Sequence, residues 1–136
     1  MAFGRPLLGV LFWLIFLASG LHAQSLVDVF AERESTSSPN DSVRANNGRA
    51  TVEPFEPRHG GKPGGHSLWI EWTATSTGIA TFSTEGSNFD TLLSAYVLDP
   101  NNPDKPPLDR LKEVARSDDF EKSKTSLIQF GAVAGT

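Results

Sequence analysis

The chain has 136 residues, 12 Lys and Arg against 16 Asp and Glu for a formal net charge of −4, and no cysteine. That length holds one domain of the usual ~100–150 residues, and the mild, mixed charge excludes the clustered Lys and Arg of a nucleic-acid surface. The absence of cysteine excludes a disulfide framework, so an exported domain of this kind relies on its core, on a metal or on neighbouring domains.

Arg5, the apolar run from Pro6 to Gly20, and then Leu21, His22 and Ala23 follow the order of a secretory signal peptide: charge, apolar core, small residue at the cut. Residues 1–23 are therefore expected to be removed before Gln24, with Ala18, Ser19 and Gly20 an alternative cut. A membrane span needs about 20 predominantly apolar residues, and this run is shorter. The mature protein is expected to be secreted or held at the cell surface, without a membrane span, and disulfide-free export points to bacteria.

Residues 24–45 read as an irregular lead, in which Leu26, Val27, Val29 and Phe30 open a strand or a short helix and a Ser/Asn/Pro-rich loop follows. Asn40, Asp41 and Ser42 fit a glycosylation sequon. Pro54 and Pro57 restrict residues 50–57 to an edge strand or extended segment, and four glycines with Pro63 make 58–65 a loop. Residues 67–74 alternate as a strand, with Leu68, Ile70 and Trp72 on one side and Trp69, Glu71 and Thr73 on the other. The same alternation predicts strands over 79–84, with Ala80 and Phe82 on one face, and over 92–98. Four prolines keep 99–107 irregular. Residues 111–115 read as a weak strand or helical turn, 117–124 as a charged loop, and 125–133 as a last strand. Short strands separated by Gly, Pro and Asn turns predict an all-β sandwich or barrel over 46–136.

Four groups of residues carry candidate chemistry. Trp69 and Trp72 lie three apart on a strand and so face opposite sides. Trp72 is expected in the core, and Trp69 is the candidate contact for a polysaccharide or protein ligand. Asp90, Asp118 and Asp119, with Glu121 nearby, are candidate calcium ligands, since calcium takes six to eight oxygens. The plainer reading is that Asp90 caps its own turn and that the 118–121 loop is solvated. His59 and His66 flank a Gly-rich loop, but catalytic zinc takes three protein ligands, so they read as loop histidines bonded to backbone carbonyls. No Gly-x-Ser-x-Gly or Ser-x-x-Lys pattern is present, and no catalytic residue is assigned.

His66, Trp69, Trp72, Gly78, Phe89, Asp90, Leu92, Ala95 and Tyr96, then Asp118, Asp119, Phe130 and Gly135, form an ordered series. Residues 46–136 resemble the bacterial pre-peptidase C-terminal domain group. The resemblance implies a jelly-roll-like β-sandwich that serves as an accessory module beside secreted peptidases or on surface proteins. Ile70 stands where that group commonly has a further aromatic, and the 99–108 loop is longer than usual. The group continues beyond the Ala134–Gly135–Thr136 turn with further strands, so the chain is expected to be a fragment with an incomplete sandwich. The function expected is a non-catalytic accessory or binding module of an exported or surface protein, with neighbouring domains as partners. The alternative is a substrate-capture or folding-assistance domain of a secreted peptidase, and the third reading, from a different class, is a small hydrolase.

Overall fold

In a computed structural model, which describes residues 26–136, the chain is built from short strands and three single-turn 3-10 segments, with no long helix. No helix among the described residues is long and apolar enough to cross a membrane. The elements in chain order are β1 (Ser35–Thr36), β2 (Glu71–Trp72), β3 (Gly78–Ser83), β4 (Leu93–Leu98), β5 (Leu111–Ser117) and β6 (Leu127–Ala132). They form three two-stranded ladders: β1 parallel to β2, β3 antiparallel to β6, and β4 antiparallel to β5. The chain is thus all-β over the described residues. The signal peptide assigned to residues 1–23 lies outside them.

Period-2 alternation explains the β3–β6 ladder. Its register runs from Gly78 opposite Ala132 to Ser83 opposite Leu127. Ala80, Ile128 and Ala132 are buried, Phe82 and Phe130 are half-buried, and the intervening Ile79, Thr81, Ser83 and Gln129 face water. Phe82 and Phe130 stack with centroids 5.8 Å apart, and Trp72 meets Phe82 edge-on at 5.3 Å. With Ala74 these side chains make one apolar cluster.

The second cluster is Phe30, Trp69 and Leu108, joined by Tyr96 and Leu111. Pro107 opens a 3-10 turn to Arg110 that buries Leu108 and leads directly into β5. Residues 111–115 therefore belong to a full seven-residue strand. Opposite β4, its register slips between Ala95 and Tyr96, so that Ala95 faces Ala115 while Tyr96 faces Glu113 and Val114 is the extra residue. Such a bulge bends the strand that carries the extra residue, here β5; opposite it on β4, Tyr96 reaches His59.

Two expectations are corrected. Residues 67–74 are not one regular strand. Only Glu71 and Trp72 pair, with Ser35 and Thr36, while Trp69 bridges to Val27. The partners come from the lead segment, which is therefore part of the fold: Phe30 is buried, its N–H donates to Glu53 at 2.8 Å, and Arg33 ion-pairs with Glu71 at 2.6 Å. The tryptophans also differ from expectation in burial: Trp69 is the more buried, edge-on to Phe30 at 5.0 Å, while Trp72, packed in the β3–β6 cluster, is half-buried and donates its indole N–H to the Ser38 carbonyl at 3.1 Å. They do face opposite sides, but both sides are covered, so alternation alone does not tell core from surface.

Candidate functional site

The densest polar arrangement is centred on His59. The loop turns sharply here, with Gly60 at φ 55°. A side chain at that position is strained, and its Cβ would also stand 3.2 Å from Leu92. His59 Nδ1 lies 2.8 Å from the Tyr96 hydroxyl, and Nε2 lies 2.8 Å from Glu56 Oε1 and 3.1 Å from Ser67 Oγ. Ser67 donates a short hydrogen bond to the same Glu56 oxygen, and the Glu53 N–H donates to the other at 2.9 Å. Beyond Tyr96, Glu113 accepts from Ser94 at 2.9 Å and from the Gly60 N–H at 3.0 Å. Only 2% of the Glu56 side chain and 14% of the His59 side chain are exposed. The imidazole lies against Trp69 and Tyr96, with centroids 5.4 and 5.7 Å away.

The electrostatics follow from these contacts. Burial pushes the Glu56 carboxyl upward, but the hydrogen bonds from Ser67, His59 and the Glu53 N–H outweigh it and hold the group below its ordinary value. Glu113 behaves alike: burial raises it, and the Gly60 N–H, Ser94 and Arg116 bring it down further. Burial pushes Tyr96 up to about 12, with the charges of Glu113 and Glu56 adding to the rise. Tyr96 is therefore a lasting O–H donor beside two carboxylates.

This cluster is not laid out as a nucleophilic relay. In such a relay the base takes the hydroxyl proton on one nitrogen while the acid orients it through the other. Here Glu56 and Ser67 share Nε2, Ser67 gives its hydrogen to Glu56, and Nδ1 faces a phenol. An imidazole carrying hydrogen on Nε2 and accepting from Tyr96 at Nδ1 satisfies the set, a tautomer assigned from the network. The arrangement holds the 53–67 loop onto β4 and β5.

An open groove of about 790 Å³ runs beside the cluster, with Asn47, Ser67, Trp69, Ser94 and Tyr96 among its walls. Trp69 Nε1–H is buried without an acceptor among the described residues. His66 closes the loop by its Nδ1 standing 3.1 Å from the Asn47 carbonyl, while Asn47 Nδ2 donates to the His66 carbonyl at 3.1 Å. His66 thus bonds a backbone carbonyl as expected, whereas His59 bonds side chains.

The candidate calcium residues have a different surrounding. Asp118 pairs directly with the Lys62 ammonium, and the charges of Asp90 and Asp119 also act on it. The hydrogen bond to Asp118, joined by those charges, raises the Lys62 pKa. Asp118 and Asp119 additionally use their carbonyls to accept from Ser126 at 2.9 Å and Ser117 at 3.2 Å. Asp90 is exposed, and the adjacent Thr91 N–H donates to the Lys124 carbonyl instead of to a cap. Glu121 is exposed too, at φ 57°. No three acids or histidines among the described residues converge as ligands. The acids are arranged about a lysine.

Sequence reasoning missed Glu56, Ser67, Tyr96 and Glu113. Glu56 and His59 stand three apart, a spacing compatible with contact across one tight turn. Tyr96 and Glu113 carry no such local signal. The chain matches no protein-family model, no curated protein and no solved structure.

Proposed function

We propose that the chain is a non-catalytic binding module of an exported or surface protein, folded as a jelly-roll-like β-sandwich, and that the groove beside Trp69 is its binding surface. The observation that carries this reading is Trp69 itself, a groove-lining residue whose buried indole N–H has no acceptor among the described residues. An unpaired buried donor costs about 1–3 kcal/mol, which a ligand carbonyl or hydroxyl offsets once a shift of the groove wall uncovers that atom. Aromatic walls interleaved with Ser67, Ser94 and Asn47 suit a peptide or an oligosaccharide, both of which combine apolar faces with acceptors. The shared use of one His59 nitrogen by Glu56 and Ser67 favours binding over hydrolysis. A substrate-capture domain of a secreted peptidase uses the same groove, with the partner domain in the same polypeptide.

The test follows the indole resonances in ¹H–¹⁵N spectra while oligosaccharides and unstructured peptides are titrated in. The Trp69 resonance should move and that of Trp72, tied to Ser38, should stay. Trp69→Phe, which keeps a ring and removes the donor, should weaken binding of the same ligand as read from the backbone amide resonances. Turnover of an ester, peptide or glycoside substrate that disappears in Ser67→Ala would overturn the proposal, as would a ligand that binds without moving Trp69.

A further inference from the structure

The β3 strand exposes an unusually unprotected edge. Among the described residues it pairs with β6 alone. The Thr84 N–H donates to Ser126 at 2.9 Å, which sets the alternation of the ladder. In antiparallel pairing every second residue exchanges bonds with the partner, so Ala80 and Phe82 bond toward β6 while Ile79, Thr81 and Ser83 aim their N–H and C=O groups away. All three outward residues are exposed, Ile79 by 74%. Natural edges are blunted by charges, prolines, bulges or very short strands. β3 has six residues, none charged and none proline, in unbroken register with β6.

We propose that this edge is a self-association surface and that two copies join β3 to β3, antiparallel, about a two-fold axis at Thr81. The strand is complementary to itself in that register. Thr81 meets its own copy, Ile79 meets Ser83, and Ser83 meets Ile79, so every outward backbone group of the strand finds a partner. On the other face Phe82 comes opposite Ala80, large against small, and extends the Phe82–Phe130 layer across the axis. The first charge along the chain, Glu85, comes opposite Thr77, so no like charges meet. Shifting the pairing by two residues in one direction places Phe82 against its own copy and Ile79 against Glu85. Shifting it in the other direction takes a pair beyond the strand end to Thr77. The closed two-fold arrangement consumes both edges and stops at a dimer. It makes one four-stranded sheet, β6–β3–β3–β6.

The experiment is a charge swap at the axis, read by sedimentation velocity over a concentration series of the full chain. Thr81 is exposed, and its hydroxyl accepts from Gln129 at 3.1 Å across the ladder, so Thr81→Lys and Thr81→Glu should fold as the parent does. Wild type should dimerise. Each variant alone places like charges directly opposite one another, and its dissociation constant should rise about fivefold or more. An equimolar mixture of the two should recover the dimer, now heterotypic. A wild-type chain that stays monomeric throughout its soluble range overturns the proposal. So does association that neither variant weakens, as pairing through another surface or through the apolar N-terminal run would produce. So does a mixture that fails to reassociate.

Discussion

Removing the Glu56 carboxylate tests whether the His59 network holds the domain together. In Glu56→Ala, three donors lose one acceptor: Ser67 Oγ, His59 Nε2 and the Glu53 N–H. Hydrogen bonds to a charged group contribute about 1.5–3 kcal/mol each. The total is smaller than three such bonds, because His59 Nε2 and Ser67 Oγ already stand 3.1 Å apart and can pair with each other. The Glu53 N–H and the volume vacated in a nearly closed site remain uncompensated. The expected loss is about 3–4 kcal/mol, a large part of a typical ~5–15 kcal/mol margin. Urea unfolding at neutral pH, followed by tryptophan fluorescence, reads it. Because the folded carboxyl is held below its unfolded value of 4.5, its contribution is fully present above pH 4.5 and is lost as pH falls through the lower folded value. Glu56→Gln keeps the shape and one acceptor, and should therefore lose that acid-sensitive share of stability while folding normally. A loss below about 1 kcal/mol in Glu56→Ala, or an acid limb unchanged in Glu56→Gln, would refute the reasoning.

Other perturbations should respond as follows. Tyr96 is raised to about 12 from an unfolded value of 10.0. Its contribution is therefore intact below pH 10 and is lost as pH climbs toward 12, a limb that Tyr96→Phe should remove from the stability profile. Phe55 is 63% exposed and sits at φ 69°, in the left-handed region after Pro54. Asn accepts that conformation more readily, so Phe55→Asn should raise stability by up to about 1 kcal/mol in a urea titration. Ser126 is fully buried, and its single hydroxyl hydrogen is shared between the Thr91 carbonyl at 2.6 Å and the Asp118 carbonyl at 2.9 Å. Ser126→Ala should cost about 1–3 kcal/mol by leaving those acceptors unpaired. Millimolar calcium should leave the melting temperature where a chelator leaves it, because the Lys62 ammonium sits among Asp90, Asp118 and Asp119. A calcium-dependent rise would show that the lysine yields its place.

What the chain alone determines is local. Ala80 and Phe82 in β3, and Ile128 and Ala132 in β6, follow a two-residue period, and the sequence places these strands within a residue or two. The prolines of 99–107 forbid regular strand there because each removes a donor and restricts its neighbour. Three things were decided only by tertiary structure. Which tryptophan is core depends on what covers each side of residues 67–74, and the cover comes from Val27 and Phe30 on one side and Phe82 and Phe130 on the other. The His59 network depends on Tyr96, 37 residues along the chain, being brought to it by β4. The acidic residues read as calcium ligands acquire their counter-charge from Lys62, 56 residues from Asp118. A period of two specifies which side chains share a face of a strand, because it arises from neighbouring dihedral angles. It contains nothing about what the chain later lays against that face, which is set by burial and pairing between distant segments.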